Sequence, residues 1–221
     1  QGRPLYLERS NFTMKPELLL SRIRVVLCRP SHPGNIGAAA RAMKTMGLSD
    51  LRLVCPRSFP DPEADARATG AVDVLESAKI SDALPEALAG AVFVVALSAR
   101  RRDLGPPIYE PRQMAARLLA EAALGPVALV FGNEAVGLSN DEIQQCHAAV
   151  TIPTNPAFSS LNLGSAVQVL CYELRSLAFA DLPPIVDPVV TPFASPLASH
   201  DELEGMYAHF ETVMTETGFL N

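Results

Sequence analysis

The sequence predicts an α/β fold in which helices flank a parallel sheet, and two patterns support this. Short continuous apolar runs alternate with segments whose apolar residues recur at helical spacing. The apolar runs are typical of strands buried on both faces, which occur where helices cover a parallel sheet. With 221 residues, 48% of them hydrophobic and 19% charged, the chain is long enough to bury one such core.

The predicted elements alternate between residues 22 and 180. Apolar runs predict five strands: RIRVVLC, DLRLVCP, AVFVVALS, VALVFG and AVTIP. Apolar spacing and end residues predict six helices: NIGAAARAMKTMG, PEADARATGAVDVLE, LPEALAG, EPRQMAARLLAEAAL, SNDEIQQC and SLNLGSAVQVLCYELRSLAFA. Gly47 marks the end of the first helix, and Ser139 with Glu142 predicts a capping box at the start of the fifth.

We divide the chain into four segments. Residues 1–13 lack periodicity and precede Met14, so we expect them to be an added leader, and residues 14–180 hold the α/β pattern. Residues 181–198 are rich in proline and predict a linker or extended arm. Residues 199–221 predict a C-terminal helix that begins near Ser199 or Asp201, with an apolar stripe of Leu203, Met206, Tyr207, Phe210 and Met214.

The charges are unevenly distributed. The net charge is −6, yet residues 14–60 carry eight Lys and Arg against two acids, while residues 181–221 carry seven acids and no Lys or Arg. A localised basic face on an acidic protein suits an enzyme with a polyanionic substrate, and a merely solvated charged face is the alternative.

The lengths of the apolar runs and the positions of the cysteines argue against a membrane protein and against a disulfide-bonded or metal-binding one. The longest apolar runs reach a third or less of the roughly 20 residues that a membrane-spanning helix needs, so we expect no membrane contact and a cytoplasmic location. The four cysteines form no CxxC pair, and we expect reduced core residues rather than disulfides or metal ligands: Cys28, Cys55, Cys146 and Cys171.

The first candidate loop is RPSHPGNIGAAAR, which follows the first predicted strand. Ligands of open α/β sheets bind beyond the carboxyl ends of the strands. Gly34 and Gly37 permit close backbone approach, and Asn35 and Arg41 are the polar residues that follow. A dinucleotide-binding loop is the alternative, but G-x-G-x-x-G is absent and no acidic residue closes the second strand.

The second and third loops follow the strands VALVFG and AVTIP. In LVFGNEAVGLSNDE, Glu134 lies between Gly132 and Gly137, where it is either a surface residue or one that fixes the loop or a polar ligand. In SSLNLGSAVQVL, Ser160 and Asn162 precede an apolar helix. They either cap that helix or also line a site, since one polar residue would suffice for a cap.

Together the loops resemble the SpoU, or TrmH-like, branch of the SPOUT RNA 2′-O-methyltransferases over about residues 22–180. Three motifs match in order and spacing: N-x-G-x-x-x-R (Asn35, Gly37, Arg41), F-G-x-E-x-x-G-L (Phe131 to Leu138) and I-P…S-L-N (Ile152, Pro153, Ser160 to Asn162). GNIGAAARAMKTMGLSDLRLVCP, ALSARRR and the closing helix are more narrowly similar to a bacterial branch that methylates nucleotide 32 of the tRNA anticodon loop.

The resemblance implies a SPOUT trefoil-knotted parallel sheet flanked by helices, with a C-terminal helical extension. It implies a homodimer in which the partner subunit completes each active site, and S-adenosylmethionine bound in a bent pose, mostly by backbone groups. The residues implied for the cofactor are Leu97, Ser98, Ala99, Gly132, Asn133, Glu134, Gly137, Ile152, Pro153, Ser160 and Leu161. The polar catalytic positions implied are Arg41, Ser160, Asn35, Asn162 and Glu134.

The implied reaction is in-line transfer of a methyl group to a ribose 2′-hydroxyl, which needs no metal. We expect Arg41 to donate hydrogen bonds to the 2′-oxygen or a phosphate, because a guanidinium stays protonated in proteins. tRNA, not DNA, is the expected partner, and the expected RNA contacts are Arg29, Arg41, Arg100, Arg101 and Arg102. The alternatives are another tRNA or rRNA site, a non-catalytic RNA-binding dimer and a nucleotide-dependent enzyme.

Overall fold

The computed structural model describes residues 14–98, 106–180 and 200–219, and side chains from residue 205 onward in the last range. The chain divides into two compact units, residues 1–182 and residues 183–221. The first unit holds the sheet, and the described part of the second is one helix.

The first unit is built on a seven-stranded sheet in the order β3-β2-β1-β6-β4-β7-β5. All of its strand pairs are parallel, as the apolar runs predict. The strands are β1 (Ile23–Cys28), β2 (Asp50–Val54), β3 (Lys79–Ser81), β4 (Phe93–Leu97), β5 (Ile108–Tyr109), β6 (Val127–Phe131) and β7 (Ala148–Val150).

Helices cover both faces of the sheet. In the first unit they are α1 (Pro16–Leu20), α2 (Pro33–Met46), α3 (Pro62–Ala68), α4 (Val72–Glu76), α5 (Leu84–Leu88), α6 (Pro111–Ala122), α7 (Asn140–Gln144) and α8 (Leu163–Ala178). Strand β1 shows both layers, because Val25 and Leu27 belong to the larger apolar cluster with α2, α6 and α8. Val26 and Cys28 belong to the smaller cluster with α5 and α7. The predicted α/β class is therefore confirmed.

The structure departs from the predicted elements at two points. The helix expected over residues 62–76 is interrupted by a 3-10 turn, Thr69–Ala71, where Thr69 has φ +54°. The strand expected to reach Pro153 ends at Val150, three residues earlier. The N–H of Thr151 still donates to the Tyr109 carbonyl at 3.0 Å, and Pro153 has no N–H with which to extend the ladder further. The trefoil knot stays a prediction.

The cysteine prediction is correct for three residues and wrong for one. Cys28, Cys146 and Cys171 are buried, whereas Cys55 is exposed at the end of β2. Burial raises the pKa of each buried thiol to about 12, so these three thiols stay protonated at neutral pH.

The second unit contains helix α9 (His200–Glu216), as the apolar spacing predicts. The side chains of Met206, Tyr207 and Phe210 are exposed. In the ranges that the structure covers, no helix combines the length and the apolar character needed to cross a membrane.

Candidate active site

Sheet order brings the predicted loops to one edge. Strands β1, β6, β4 and β7 are consecutive neighbours and run parallel, so their carboxyl ends lie side by side. The loops that follow these strands contain all three sequence motifs. This edge is where open α/β sheets bind ligands.

Glu134, in the loop after β6, accepts hydrogen bonds from the loop after β1. Ser31 donates to one carboxylate oxygen through its backbone N–H at 2.9 Å and its hydroxyl at 2.8 Å. Asn35 Nδ2 donates to the other at 2.9 Å, and the backbone N–H of His32 does so at 3.3 Å. Glu134 thus holds two loops together. The sequence alone could not distinguish this function from that of a surface residue.

These hydrogen bonds keep Glu134 ionised. Partial burial is the largest single influence and raises the pKa, but the hydrogen bonds from Asn35 and Ser31 together outweigh it. The net effect lowers the pKa of Glu134 from 4.5 to about 2. Glu134 is therefore a fixed negative charge at neutral pH and is unsuited to accept the substrate proton.

Asn162 joins the third loop to the first. Its Nδ2 donates to Asn35 Oδ1 at 2.8 Å, and its Oδ1 accepts the backbone N–H of Gly164 at 2.9 Å as the N-cap of α8. Asn162 therefore performs both functions that the sequence considered. The hydrogen-bonded series Asn162, Asn35, Glu134 and Ser31 spans the starts of α2 and α8 and the loop after β6.

The loop after β6 is a tight turn. The side chain of Asn133 accepts from the N–H of Ala135 at 2.9 Å and donates to the carbonyl of Arg29 at 2.8 Å. A Cβ at Gly132 would lie 2.2 Å from the carbonyl carbon of Gly137, and Gly137 itself has φ +71°. Both glycines are thus required by the backbone path.

The loops after β4 and β7 also meet. The N–H of Ser98 donates to Val150 at 3.0 Å, and the Thr151 hydroxyl donates to the Ser98 carbonyl at 2.7 Å. Leu97 and Ile152 beside them are half-buried. Leu97, Ser98 and Ile152, which are implied for the cofactor, therefore lie at the same edge, while Ser160, Leu161 and Pro153 are exposed.

Arg41 lies apart from this assembly, and the exposed Ser160 is not a member of the hydrogen-bonded series either. Arg41 is six residues after Asn35 on α2, which turns it by about 240° around the helix axis. Its side chain is exposed, and Nη1 donates to the Thr69 hydroxyl at 3.5 Å. The structure thus brings together Asn35, Glu134 and Asn162 but not Arg41.

The expected RNA-binding arginines have different surroundings. Arg29 forms an ion pair with Glu142 at 2.8 Å, and the same oxygen of Glu142 accepts the N–H of Ser139. Ala99 and Arg100 to Arg102 lie outside the described residues.

The basic segment of residues 14–60 is not one free surface. Arg24 and Arg52 both pair with Asp50, and Lys44 pairs with Asp73. Arg22 donates to carbonyls at the end of α6. Much of the excess positive charge is therefore engaged within the protein.

Sequence reasoning missed Ser31. It lies in RPSHPG just before His32, the N-cap residue of α2, and its hydroxyl donates to Glu134. Its polar side chain in the first loop could have suggested a site residue. Nothing in the sequence indicated that its partner is Glu134, 103 residues away.

In the described part of the chain, no group of three or more His, Cys, Asp or Glu side chains could hold a metal ion. The polar groups at the sheet edge are amides, hydroxyls and one carboxylate bonded to other residues. Such a set suits binding of a polar organic ligand.

Comparison with known proteins identifies the family. The SpoU rRNA Methylase family matches residues 22–172. The tRNA (cytidine/uridine-2′-O-)-methyltransferase TrmJ of Yersinia enterocolitica is 52% identical over 202 residues, which cover 91% of this chain and 78% of that protein. TrmJ of Salmonella typhimurium is 51% identical over 204 residues, 91% of this chain and 82% of that protein.

Solved structures agree. A probable methylase family protein from Haemophilus influenzae is 39% identical with a TM-score of 0.70, covering 91% of this chain and 82% of that one. TrmJ from Z. mobilis is 36% identical with a TM-score of 0.66, covering 90% and 82%. AviRb from Streptomyces viridochromogenes in complex with AdoMet is 25% identical with a TM-score of 0.57, covering 70% and 57%. The motif resemblance is confirmed, and this chain belongs to the SpoU methylase family.

Proposed function

We propose that this chain transfers the methyl group of S-adenosylmethionine to the ribose 2′-hydroxyl of nucleotide 32 in the tRNA anticodon loop. The observation that carries the proposal is the hydrogen-bonded series Asn162, Asn35 and Glu134 at the cofactor edge of a SpoU methylase fold. Relatives about half identical to this chain are named tRNA (cytidine/uridine-2′-O-)-methyltransferases, which supports tRNA as the substrate, and the position, nucleotide 32, rests on the sequence resemblance.

The residues at the sheet edge fit S-adenosylmethionine. Strands β6, β4 and β7 are neighbours, and Thr151 after β7 is hydrogen-bonded to Ser98 after β4, so the residues that follow these strands can supply backbone groups to one ligand. Leu97, Ile152 and Leu161 offer apolar contact for an adenine ring, and the glycine turn after β6 brings backbone close to the site. Implied cofactor-binding residues are Leu97, Ser98, Ala99, Gly132, Asn133, Glu134, Gly137, Ile152, Pro153, Ser160 and Leu161.

S-adenosylmethionine, when bound, supplies a sulfonium methyl group that is already activated. The protein has to align the 2′-hydroxyl and stabilise the oxygen as it becomes negative. Arg41 donates hydrogen bonds to that oxygen or to the adjacent phosphate, since its guanidinium cannot act as a base at neutral pH. Ser160 and Asn162 orient the ribose, and Asn35 and Glu134 fix Asn162.

The active site is completed by a second copy of the chain. Arg41 points away from Asn35 and Asn162 in its own subunit, so it reaches a site only on another subunit or after a large rearrangement. Three exposed apolar side chains in the site loops, Val136, Phe158 and Leu161, support an interface there, because such residues are usually covered. The protein acts as a homodimer in the cytoplasm. DNA is not a substrate, because it lacks the 2′-hydroxyl.

The test is methylation of unmodified tRNA transcripts with labelled S-adenosylmethionine, followed by mapping of the modified nucleotide. Ribose methylation at nucleotide 32 that Arg41→Ala abolishes is the expected result. Methylation at another tRNA position or at an rRNA position would support the proposed chemistry but show a different substrate. The rRNA description of the matching family is the observation that favours an rRNA substrate. Absence of methylation on both RNAs would favour a non-catalytic RNA-binding dimer.

Shared sites are tested with differently tagged subunits purified as a heterodimer. One subunit carries Arg41→Ala and the other Asn162→Ala. If each site combines the two residues from different subunits, one of two sites is intact and activity is about half of wild type. If each site lies within one subunit, both sites carry a substitution and activity falls far below half of wild type.

A further inference from the structure

Two basic side chains of helix α2 donate hydrogen bonds to the turn that follows α3 and to the start of α4. Arg41 Nη1 donates to the Thr69 hydroxyl at 3.5 Å. Lys44, three residues later on the same helix face, donates to the Gly70 carbonyl at 2.9 Å and to the Asp73 carboxylate at 2.8 Å. The exposed end of Arg41 therefore rests on a segment that a second cation holds in place.

Thr69 has a backbone conformation that threonine disfavours. Its φ of +54° and ψ of −114° place it where glycine is normally found, and a β-branched side chain makes this worse. Gly70, directly after it, has no such φ. If only the backbone path of this turn mattered, glycine would be favoured at position 69. The threonine found there is strained, so we expect its hydroxyl to have a function.

The surrounding packing enforces this conformation. Ala68 and Ala71, on either side of the turn, are buried in the core. The N–H of Thr69 donates to Asp65 in α3. Helices α2 and α3 are in close contact, since a Cβ at Gly37 would lie 2.1 Å from the carbonyl oxygen of Ala64. The Thr69 hydroxyl is thus presented to α2 by a rigid framework.

We propose that Thr69 is a positioning residue for Arg41, which rests on the function proposed above. An exposed arginine samples many rotamers, and one that stabilises a transition state must be placed before the substrate arrives. The Thr69 hydroxyl offers the guanidinium an acceptor that favours one orientation. The 3.5 Å contact is long, as catalytic hydrogen bonds often are before substrate binds.

The test compares four variants of the full chain for kcat, KM and Tm. Thr69→Val keeps the shape and removes the hydroxyl, Thr69→Ser keeps the hydroxyl, and Thr69→Gly removes both the hydroxyl and the strain. Thr45→Val is the matched control, because the Thr45 hydroxyl bonds the backbone carbonyl of Arg41 rather than its guanidinium.

We expect Thr69→Val and Thr69→Gly to lower kcat about tenfold at unchanged KM for S-adenosylmethionine. Thr69→Ser and Thr45→Val should stay within about twofold of wild type. The Tm of Thr69→Gly should equal or exceed that of wild type, because the strain is relieved. A residue needed only for folding would lose activity and Tm together. Wild-type kcat in Thr69→Val, or Thr69→Ser as slow as Thr69→Val, would overturn the proposal.

A second measurement separates this proposal from the function itself. The Nε–H signal of Arg41 in ¹⁵N NMR, identified by its loss in Arg41→Lys, reports side-chain order without RNA. Thr69→Val should increase the mobility of this group, and Thr69→Ser should not. Equal mobility in all variants would overturn the proposal, whichever RNA the enzyme methylates. If the wild-type protein methylates no RNA, the proposed function is refuted. The NMR measurement would still show whether Thr69 orders the Arg41 side chain.

Discussion

Asn162 Nδ2 donates a hydrogen bond to Asn35 Oδ1 over 2.8 Å, although 127 residues separate the two in the chain. The same Asn162 caps α8 through its Oδ1. Because the amide nitrogen and oxygen of Asn162 have different partners, one side chain both caps a long helix and joins the polar series of the candidate site. A change in its chemistry can therefore affect one function without the other.

Asn162→Asp should separate the cap from the site. Aspartate caps helices as well as asparagine and its charge is favourable at a helix N-terminus, so Tm should change by no more than a few degrees. It cannot donate to Asn35, and an inverted Asn35 amide would turn its oxygen towards Glu134. We expect kcat to fall about tenfold. Asn162→Ala should also lose about 1 kcal/mol of unfolding free energy, measured in urea. Wild-type kcat in Asn162→Asp would show that the contact is dispensable.

Glu134→Gln should change the pH dependence of stability. The pKa of Glu134 is lowered from 4.5 to about 2 in the folded protein. Its ionised form therefore stabilises the fold above pH about 4.5, and this contribution is lost as the pH falls to about 2. Glutamine has only one acceptor oxygen, so donors around it lose a partner, at a cost of about 1 kcal/mol or more at pH 7.

The measurement is urea unfolding of both proteins from pH 7 to pH 2.5. The stability difference should be constant down to about pH 5 and shrink below it. Glu86→Gln, at an exposed position of α5, is the control and should follow wild type at each pH. A difference independent of pH would contradict the low pKa of Glu134.

Gly132→Ala should displace the turn after β6. The new Cβ would lie 2.2 Å from the carbonyl carbon of Gly137 and 2.3 Å from the nitrogen of Leu138, and neither backbone atom can move alone. We expect a loss of about 1–3 kcal/mol in unfolding free energy and weaker binding of S-adenosylhomocysteine by calorimetry. Gly205→Ala, in open space on α9, is the control and should bind normally. Normal binding in Gly132→Ala would exclude this turn from the cofactor site.

Salt dependence should distinguish the arginines expected to bind RNA. Arg29 is paired with Glu142, so Arg29→Ala should leave the slope of log K against log salt for tRNA binding unchanged. Arg101→Ala should weaken binding and reduce that slope by roughly one, if the arginines at 100–102 contact phosphates. Filter binding across a salt series measures both. A flatter slope in Arg29→Ala alone would reverse the assignment.

Much of the fold could be predicted because apolar runs and helical spacing are local signals. Strands β1, β2, β4, β6 and β7 and the site loops lie where the pattern indicated. Strands β3 and β5 have three and two residues and lie in no continuous apolar run, so no local signal predicted them. The break at Thr69 was hidden because PEADARATGAVDVLE has helical spacing throughout. Contacts with α2, distant in sequence, determine the turn.

The motifs selected candidate site residues that the structure brings together, but the sequence did not reveal their hydrogen-bond partners. The sequence selected Asn35, Glu134 and Asn162 and left the functions of the last two open. It gave no means to see that Ser31 donates twice to Glu134, because the pairing depends on β1 and β6 being neighbours in the sheet. The separation of Arg41 from Asn35, in contrast, could have been predicted, because six residues on one predicted helix place the two side chains on different faces.

Arg41→Lys tests whether Arg41 acts as a donor or as a base. Lysine keeps the positive charge but offers a point charge instead of a planar fork, so a donor function predicts a fall of about 100-fold in kcat with tRNA binding retained. A base function predicts a different pH profile, because lysine has an ordinary pKa of about 10.4 and loses its proton more readily than arginine. Under that mechanism the activity of the variant would rise towards alkaline pH.

The profile of kcat from pH 7 to pH 10 therefore decides between the two functions, with filter binding as the control for RNA affinity. As a donor, the lysine becomes less effective as it deprotonates, and the activity of Arg41→Lys should fall above about pH 9.5. Near-normal turnover at pH 7.5 would show that planar, bidentate donation is not required. A rise with pH would assign proton removal to this position, because only the neutral amine can accept the 2′-hydroxyl proton.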